Sequence, residues 1–265
     1  MTTLKSEFAF LRALVSVNLS SAMEYRASFI TQILFMFINN GIYFVFWVIF
    51  FEQFGNVRGY EITDIFLLFA VVSFSYGLGN MFAGNTSAEL AYLIAQGRLD
   101  YYLALPKTLL SHVIFSRMKV STIGDVAFGL LAYLFTGLFH PLEIALYVLV
   151  TIPAALIYVG FATIAGSLAF FMGNARYASQ QMANSLLTFA LYPHTLFSGG
   201  VRFLLYTLLP AAMIGAVPMQ IIRDHNWWLL LGLWSATGLI WAAAITIFYG
   251  GLRRYESGSA LNVNV

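Results

Sequence analysis

Cysteine is absent from all 265 residues, so neither a disulfide nor a thiolate metal site contributes to this fold. Charge is almost as scarce. Only 9% of the side chains are Asp, Glu, Lys or Arg, against roughly 25% in ordinary soluble domains. The formal net charge of +2 offers no basic field for nucleic acid, and no nucleic-acid partner is expected. Several catalytic signatures are also missing: the chain contains no G-x-x-x-x-G-K-[ST], no H-E-x-x-H and no G-x-S-x-G. Its four histidines, at 112, 140, 194 and 225, are scattered and form no metal set. No signal-peptide pattern is visible, because the first apolar run begins near Phe29, is long enough to span, and has no small-residue cleavage site after it.

What remains is apolar. Sixty per cent of the residues are hydrophobic and 17% aromatic, with a mean hydropathy of +0.82. A charge at the centre of a bilayer costs about 2.5–3.5 kcal/mol, so a chain that lives in lipid sheds charge. The ten-residue alternation of a β-barrel does not occur. The expectation is an all-α, polytopic membrane protein.

Six spans are expected, over about 29–51, 62–82, 120–139, 142–171, 183–205 and 227–249. Before the first, residues 4–26 place Phe8, Leu11, Val15, Leu19 and Ala22 on one helical stripe. Such a helix lies in the headgroup plane, with an ordinary soluble helix packed on a loop as the alternative. Pro210, Gly215 and Pro218 break the region 204–222 into short re-entrant helices before the last span. Lys5, Arg12, Arg26, Arg98, Lys107, Arg117, Lys119, Arg176, Arg253 and Arg254 fall on one side of this topology, and Arg58, Arg202 and Arg223 on the other. The positive-inside rule then puts both termini in the cytoplasm.

The cytoplasmic loop 86–118 concentrates the chemistry. Thr86 and Glu89 have the T-x-x-E spacing of a capping box, Gly97 can end the helix so begun, and Pro106 with Thr108 signals a second start. Arg98, Asp100 and Lys107 sit beside Leu99, Tyr101, Tyr102 and Leu103. These residues make either a helix that docks into a partner's cleft or a connector folded back on the bilayer with tyrosine anchors. Within the spans, Asp125 is the one carboxylate at depth, read as an interfacial group paired with Lys119 or Arg117, or else as a proton relay. Asn39, Asn40 and Phe44 of the first span either line a substrate path or, for the asparagines, bond neighbouring helices. Ala162-x-x-x-Gly166 reads as packing within the chain.

Taken together, Tyr25-Arg26 at the first span, Gly97-Arg98-Leu99-Asp100 with Leu103 and Leu105-Pro106, and Leu209-Pro210-Ala211-Ala212 with Val217-Pro218 resemble the permease subunits of ABC-2-type exporters. The likeness is greatest to the bacterial six-helix group with a separate ATPase, which includes viologen-exporter-type systems. The resemblance implies a coupling segment at residues 86–106, with Glu89, Arg98, Leu99, Asp100, Tyr101, Tyr102, Leu103 and Pro106 meeting ABC-type ATPase subunits. It further implies an outer gate at Pro210 and Pro218, a second permease (a copy or a relative), lipid contacts, and residence in the bacterial cytoplasmic membrane. ATP and Mg are expected on the partner ATPases and no cofactor on this chain, which is expected to be a transport subunit without an ATPase site. The chain departs from the family at Arg98, where a bulkier apolar residue is common. The shared path is expected on the first, second and fifth spans. The competing readings are an ATP-independent secondary transporter or channel, which calls for buried ionisable groups or internal symmetry, and a membrane-embedded enzyme.

Overall fold

A computed structural model describes residues 4–106 and 108–256, setting aside the side chains of residues 4–8 and 11. Among the described residues the chain is helical throughout, with no strand. Lys107 and the side chains of Phe8 and Leu11 lie outside them.

The N-terminal stretch forms α1 (Leu4–Glu24), which a single non-helical residue, Tyr25, separates from α2 (Arg26–Phe54). The face that α1 turns inward is rotated from the predicted one: Phe10, Leu14, Val15, Asn18 and Ala22 are partly buried, and Leu19 is exposed. Asn18 fixes that rotation. Its amide donates to the Ser116 carbonyl at 3.3 Å, and its Oδ1 accepts from the Met118 N–H at 3.1 Å. Pairing two backbone groups that a loop leaves open outweighs the burial of one more leucine.

Next comes α3 (Ile62–Phe82), followed by three short helices in the 86–118 loop, α4 (Ala88–Ala95), α5 (Asp100–Leu103) and α6 (Leu109–Phe115). The expected Thr86–Glu89 capping box does not form. Thr86 Oγ1 donates instead to the Ala83 carbonyl at 3.2 Å, and Glu89 turns to two arginines. Gly97 does end α4: at φ +66° it lets the Arg98 N–H reach back to the Leu93 carbonyl at 2.9 Å.

One 3-10 turn, Val120–Thr122, leads into α7 (Ile123–Leu134), which stops short of the predicted 139. Its end is built locally. Thr136 Oγ1 donates to the Tyr133 carbonyl, Gly137 sits at φ +71°, and the Tyr133 hydroxyl donates to the Leu138 carbonyl at 2.7 Å. The predicted run 142–171 is α8 (Pro141–Ser167) continued after Leu168 by α9 (Ala169–Met172). His140 and Pro141 start it, with the Glu143 carboxylate accepting from the His140 N–H at 3.1 Å.

The predicted span 183–205 is not one helix. Its first half belongs to α10 (Arg176–Ala190), which starts seven residues earlier, and its last part to α11 (Gly199–Tyr206). Between them Pro193 cannot donate to a helix and pushes Tyr192 out of helical geometry, while Gly199 holds φ +56°. The remaining helices are α12 (Ala211–Ile214), α13 (Ala216–Asp224) and α14 (Trp227–Leu252). Asn226 caps the last, its Oδ1 accepting from Trp228 and Leu229 N–H groups at 3.1 and 3.2 Å.

The core sits where α3, α7 and α8 meet. A Cβ on Gly129 would stand 2.6 Å from the Phe74 nitrogen, and one on Gly77 2.8 Å from Val126, so both glycines exist to let α3 and α7 touch. Likewise Gly166 approaches Leu90 and the Ser87 carbonyl, so the Ala162–Gly166 pair serves packing within the chain. Trp241 ties α14 to α8 by donating to the Leu156 carbonyl at 3.1 Å. Among the described residues α2, α3, α8 with α9, and α14 are long and apolar enough to cross a membrane. At about 1.5 Å per residue, α7 and α10 reach only about 18 and 22 Å of the roughly 30 Å of hydrocarbon. The folded chain also sorts its charges. Arg58, Asp64 and Arg223 gather at one end, and Glu89, Arg98, Arg117 and Arg176 at the other.

Candidate coupling and translocation surfaces

At the second of these ends, α4 is wedged into the bundle. Leu90, Ala91 and Ile94 are buried, the Ser87 N–H donates to the Ala162 carbonyl at 2.9 Å, and Ser87 Oγ donates to the Ser179 carbonyl at 2.8 Å. Glu89 projects from the wedge between two cations, 3.1 Å from Arg176 of α10 and 3.5 Å from Arg117. One turn on, the Tyr92 ring stacks with the guanidinium groups of Arg176 (4.7 Å to the guanidinium carbon) and Arg98 (5.1 Å). Both arginines paired with Glu89 are at least half exposed, so each ion pair contributes no more than about 1 kcal/mol. Their value is positional: the Arg117 pair closes the loop on itself, and the Arg176 pair fastens it to the first turn of α10.

The predicted coupling residues divide by direction. Leu99 is fully buried, Tyr102 is half-buried with its hydroxyl 3.0 Å from Ser116 Oγ, and Glu89 is spent on its two arginines. These three hold the loop and offer nothing outward. Arg98, Asp100, Tyr101, Leu103 and Pro106 face out, Tyr101 with 69% of its surface exposed. With Leu105 they make a small apolar and charged patch on α5 and the turn after it.

The first-span residues divide in the same way. Asn40 donates to Asp125 Oδ1 at 2.6 Å, joining α2 to α7. Phe44 packs inward on Phe66, Phe69 and Phe128, with ring centroids 5.0 to 5.7 Å away. Neither faces a path, whereas Asn39 is exposed. Asp125 makes no ion pair with Lys119 or Arg117, contrary to expectation; Asn40 reaches it first, and among the described residues its Oδ2 has no partner. Pro210 and Pro218 are also buried, Pro210 just before α12 and Pro218 in the first turn of α13. Proline is stable there because a helix's first turn has no use for its missing N–H. The exposed apolar part of this region is instead Phe203, Leu204 and Leu208, on α11 and just after it.

Hydropathy missed the polar face of α10. Ser179, Ala183, Leu186 and Ala190 are buried on one side, and Tyr177, Gln180, Gln181, Asn184 and Thr188 are exposed on the other. The amides bond along the helix: Gln180 to Asn184 at 2.9 Å and Asn184 to Gln181 at 3.2 Å. The polar i, i+4 steps 176, 180, 184 and 188 carried that signal. A second link also escaped notice at the opposite end, where the Tyr60 hydroxyl and His194 Nδ1 lie 2.7 Å apart.

No curated protein and no solved structure matched the chain. A family model described as an ABC-2 family transporter protein matches residues 37–259. That range takes in the loop 86–118, the polar helix α10 and every long apolar helix but the start of α2. The chain is therefore a multi-pass membrane protein of the ABC-2 transporter family, a permease-type component.

Proposed function

We propose that this chain is the permease subunit of an ATP-driven exporter, working with separate ABC-type ATPase subunits and a second permease, a copy or a relative. Members of the family are transport components that typically work with ABC ATPase partners. The observation that carries the reading is the fastening of loop 86–106 to α10 through Glu89, Arg176 and Tyr92. A push on the exposed patch around Tyr101 and Leu103 passes through the buried wedge of α4 to a helix with a polar, uncovered face. In hydrocarbon such a face is stable only against protein or water, so Gln180, Gln181 and Asn184 border the path. Asn39 and the bare side of α2 complete its wall or meet the second permease; α3, largely buried, takes no part.

In this scheme, closure of the paired ATPases brings the two coupling segments together, and the permeases rock between inward- and outward-open states. ATP and Mg belong to the partners. Both termini lie in the cytoplasm, α1 lies along the inner leaflet of a bacterial cytoplasmic membrane, and α11 borders the outer mouth. An ATP-independent transporter has less support: among the described residues two carboxylates are buried within expected spans, and both are already engaged, Asp125 with Asn40 and Asp64 with Arg223.

The test is co-purification of the tagged chain in mild detergent from its native membrane. The expected result is a stoichiometric ABC-type ATPase that is lost on Leu103→Asp while the chain still elutes as a folded species. A chain that comes out with no nucleotide-binding partner overturns the reading.

A further inference from the structure

Between α1 and the foot of α2 lies a cavity of about 500 Å³. Ser21 of α1, Ser28 and Gln32 of α2, and Arg117, Lys119 and Ser121 of the segment leading to α7 line it, together with Glu89. The charges do not balance. Glu89 is occupied by Arg117 and by Arg176 outside the cavity, which leaves Lys119 without an ion pair among the described residues. Its ammonium donates to Asn80 Oδ1 at a long 3.4 Å. Burial pulls the Lys119 pKa down; nearby Glu89 opposes that and Arg117 adds to it. A half-buried cation beside a second cation is costly, and an anion entering the cavity relieves both terms.

The neutral groups point to the same ligand. Hydroxyl and amide donors also line the cavity, among them Ser28 and Gln32, whose amide donates to the Ser28 hydroxyl at 3.0 Å. Phosphate oxygens can accept from all of them and from the two cations at once. The cavity also has an apolar edge, Phe29 and Val120. Above it, helical steps of three and four from Gln32 lead to Phe35, Asn39, Ile42 and Phe46, all exposed on α2. A polar cation pocket beneath an uncovered apolar strip matches a charged head joined to a hydrocarbon tail.

We infer that this cavity binds the phosphate-bearing head of an amphiphile, with Lys119 and Arg117 pairing the anion, Ser28, Gln32 and Ser121 donating to it, and the tail lying along Phe35, Ile42 and Phe46. The inference takes from the permease reading only the placement of α1 at the cytoplasmic headgroup level.

The experiment is a titration of the full-length chain in dodecyl maltoside with dodecyl phosphate, read by native mass spectrometry and calorimetry. Inorganic phosphate and dodecylphosphocholine are run in parallel. Saturable, one-to-one binding of dodecyl phosphate is expected, weakened about tenfold by Lys119→Gln and several-fold by Ser28→Ala, since charge-assisted bonds outweigh neutral ones. Lys119→Arg, which keeps the charge, is expected to retain most of the affinity and controls for folding. Inorganic phosphate binding as tightly as dodecyl phosphate would assign the site to a free anion and overturn the amphiphile. Equal affinity for dodecylphosphocholine, or no effect of Lys119→Gln in a folded chain, would overturn the site. Because no ATPase is present, lost ATPase association with intact dodecyl phosphate binding counts against the permease reading alone.

Discussion

Helices α2 and α3 are almost equally hydrophobic, yet about two thirds of the most apolar stretch of α3 is buried inside the chain and only 6% of that of α2. The difference lies in their neighbours. Gly77 of α3 and Gly129 of α7 let two backbones close on each other, and α8 covers another side. On α2, Gly41 has nothing within 4 Å of where a Cβ would stand, and Ile38, Ile42, Val45, Phe46 and Ile49 are bare. In lipid, apolarity alone does not decide whether a helix is core or surface, because hydrocarbon tails satisfy it as well as another leucine does. Close approach and paired polar groups decide it. α10 lies beyond both cases, with a polar face that its own chain leaves uncovered.

The sharpest way to break this contrast is to fill the glycines. Gly129→Leu drives a side chain into Phe74 and is expected to cost about 3 kcal/mol or more, leaving little folded protein on size-exclusion chromatography in detergent. Gly41→Leu is expected to change the stability of the isolated chain by less than about 0.5 kcal/mol. Equal behaviour of the two would end the division into a packed and an uncovered half. A smaller effect is expected where α2 does touch the core. Asn40→Ala strips Asp125 of its one bond among the described residues and should cost about 2 kcal/mol in thermal unfolding; pairing it with Asp125→Leu should recover most of the loss.

Glu89→Gln probes the end of the chain that carries loop 86–118. Its partners are half exposed or more, so a loss of at most about 1 kcal/mol is expected. The gap from the parent chain should narrow at high salt, where screening already weakens the pairs. No loss at any salt concentration would mean that the loop is held by packing alone. Smallest in stability is Tyr101→Ala, within about 0.5 kcal/mol for so exposed a side chain, with ATPase association as the property that changes.

Continuous apolar runs made α2, α3, α8 and α14 legible from the sequence, because in lipid a long unbroken run without charge has few other fates. The breaks were harder. The end of α7 depends on Thr136 and Tyr133 bonding around Gly137, which hydropathy does not register. α10 was read in part as a polar break because its amide face lowers the local average, although the four-residue spacing of those amides was there to be seen. Of the expected site, the sequence marked the broken, polar loop 86–118 but not the direction of its residues. Leu99 and Leu103 are four apart on a short turn, and only the fold decides that the first plugs the core and the second faces out. The partners of Glu89 are distant in sequence, and no local pattern announces them.

In this scheme the polar face of α10 borders an aqueous path. The absence of cysteine lets it be tested directly, by placing single cysteines in the otherwise cysteine-free chain and exposing inside-out vesicles to a charged, membrane-impermeant thiol reagent. Gln180→Cys and Asn184→Cys are expected to react readily, and Val45→Cys, on the bare apolar side of α2, to stay unlabelled. If the α10 positions resist the reagent as firmly as position 45 does, no aqueous path runs along α10 and the account is contradicted.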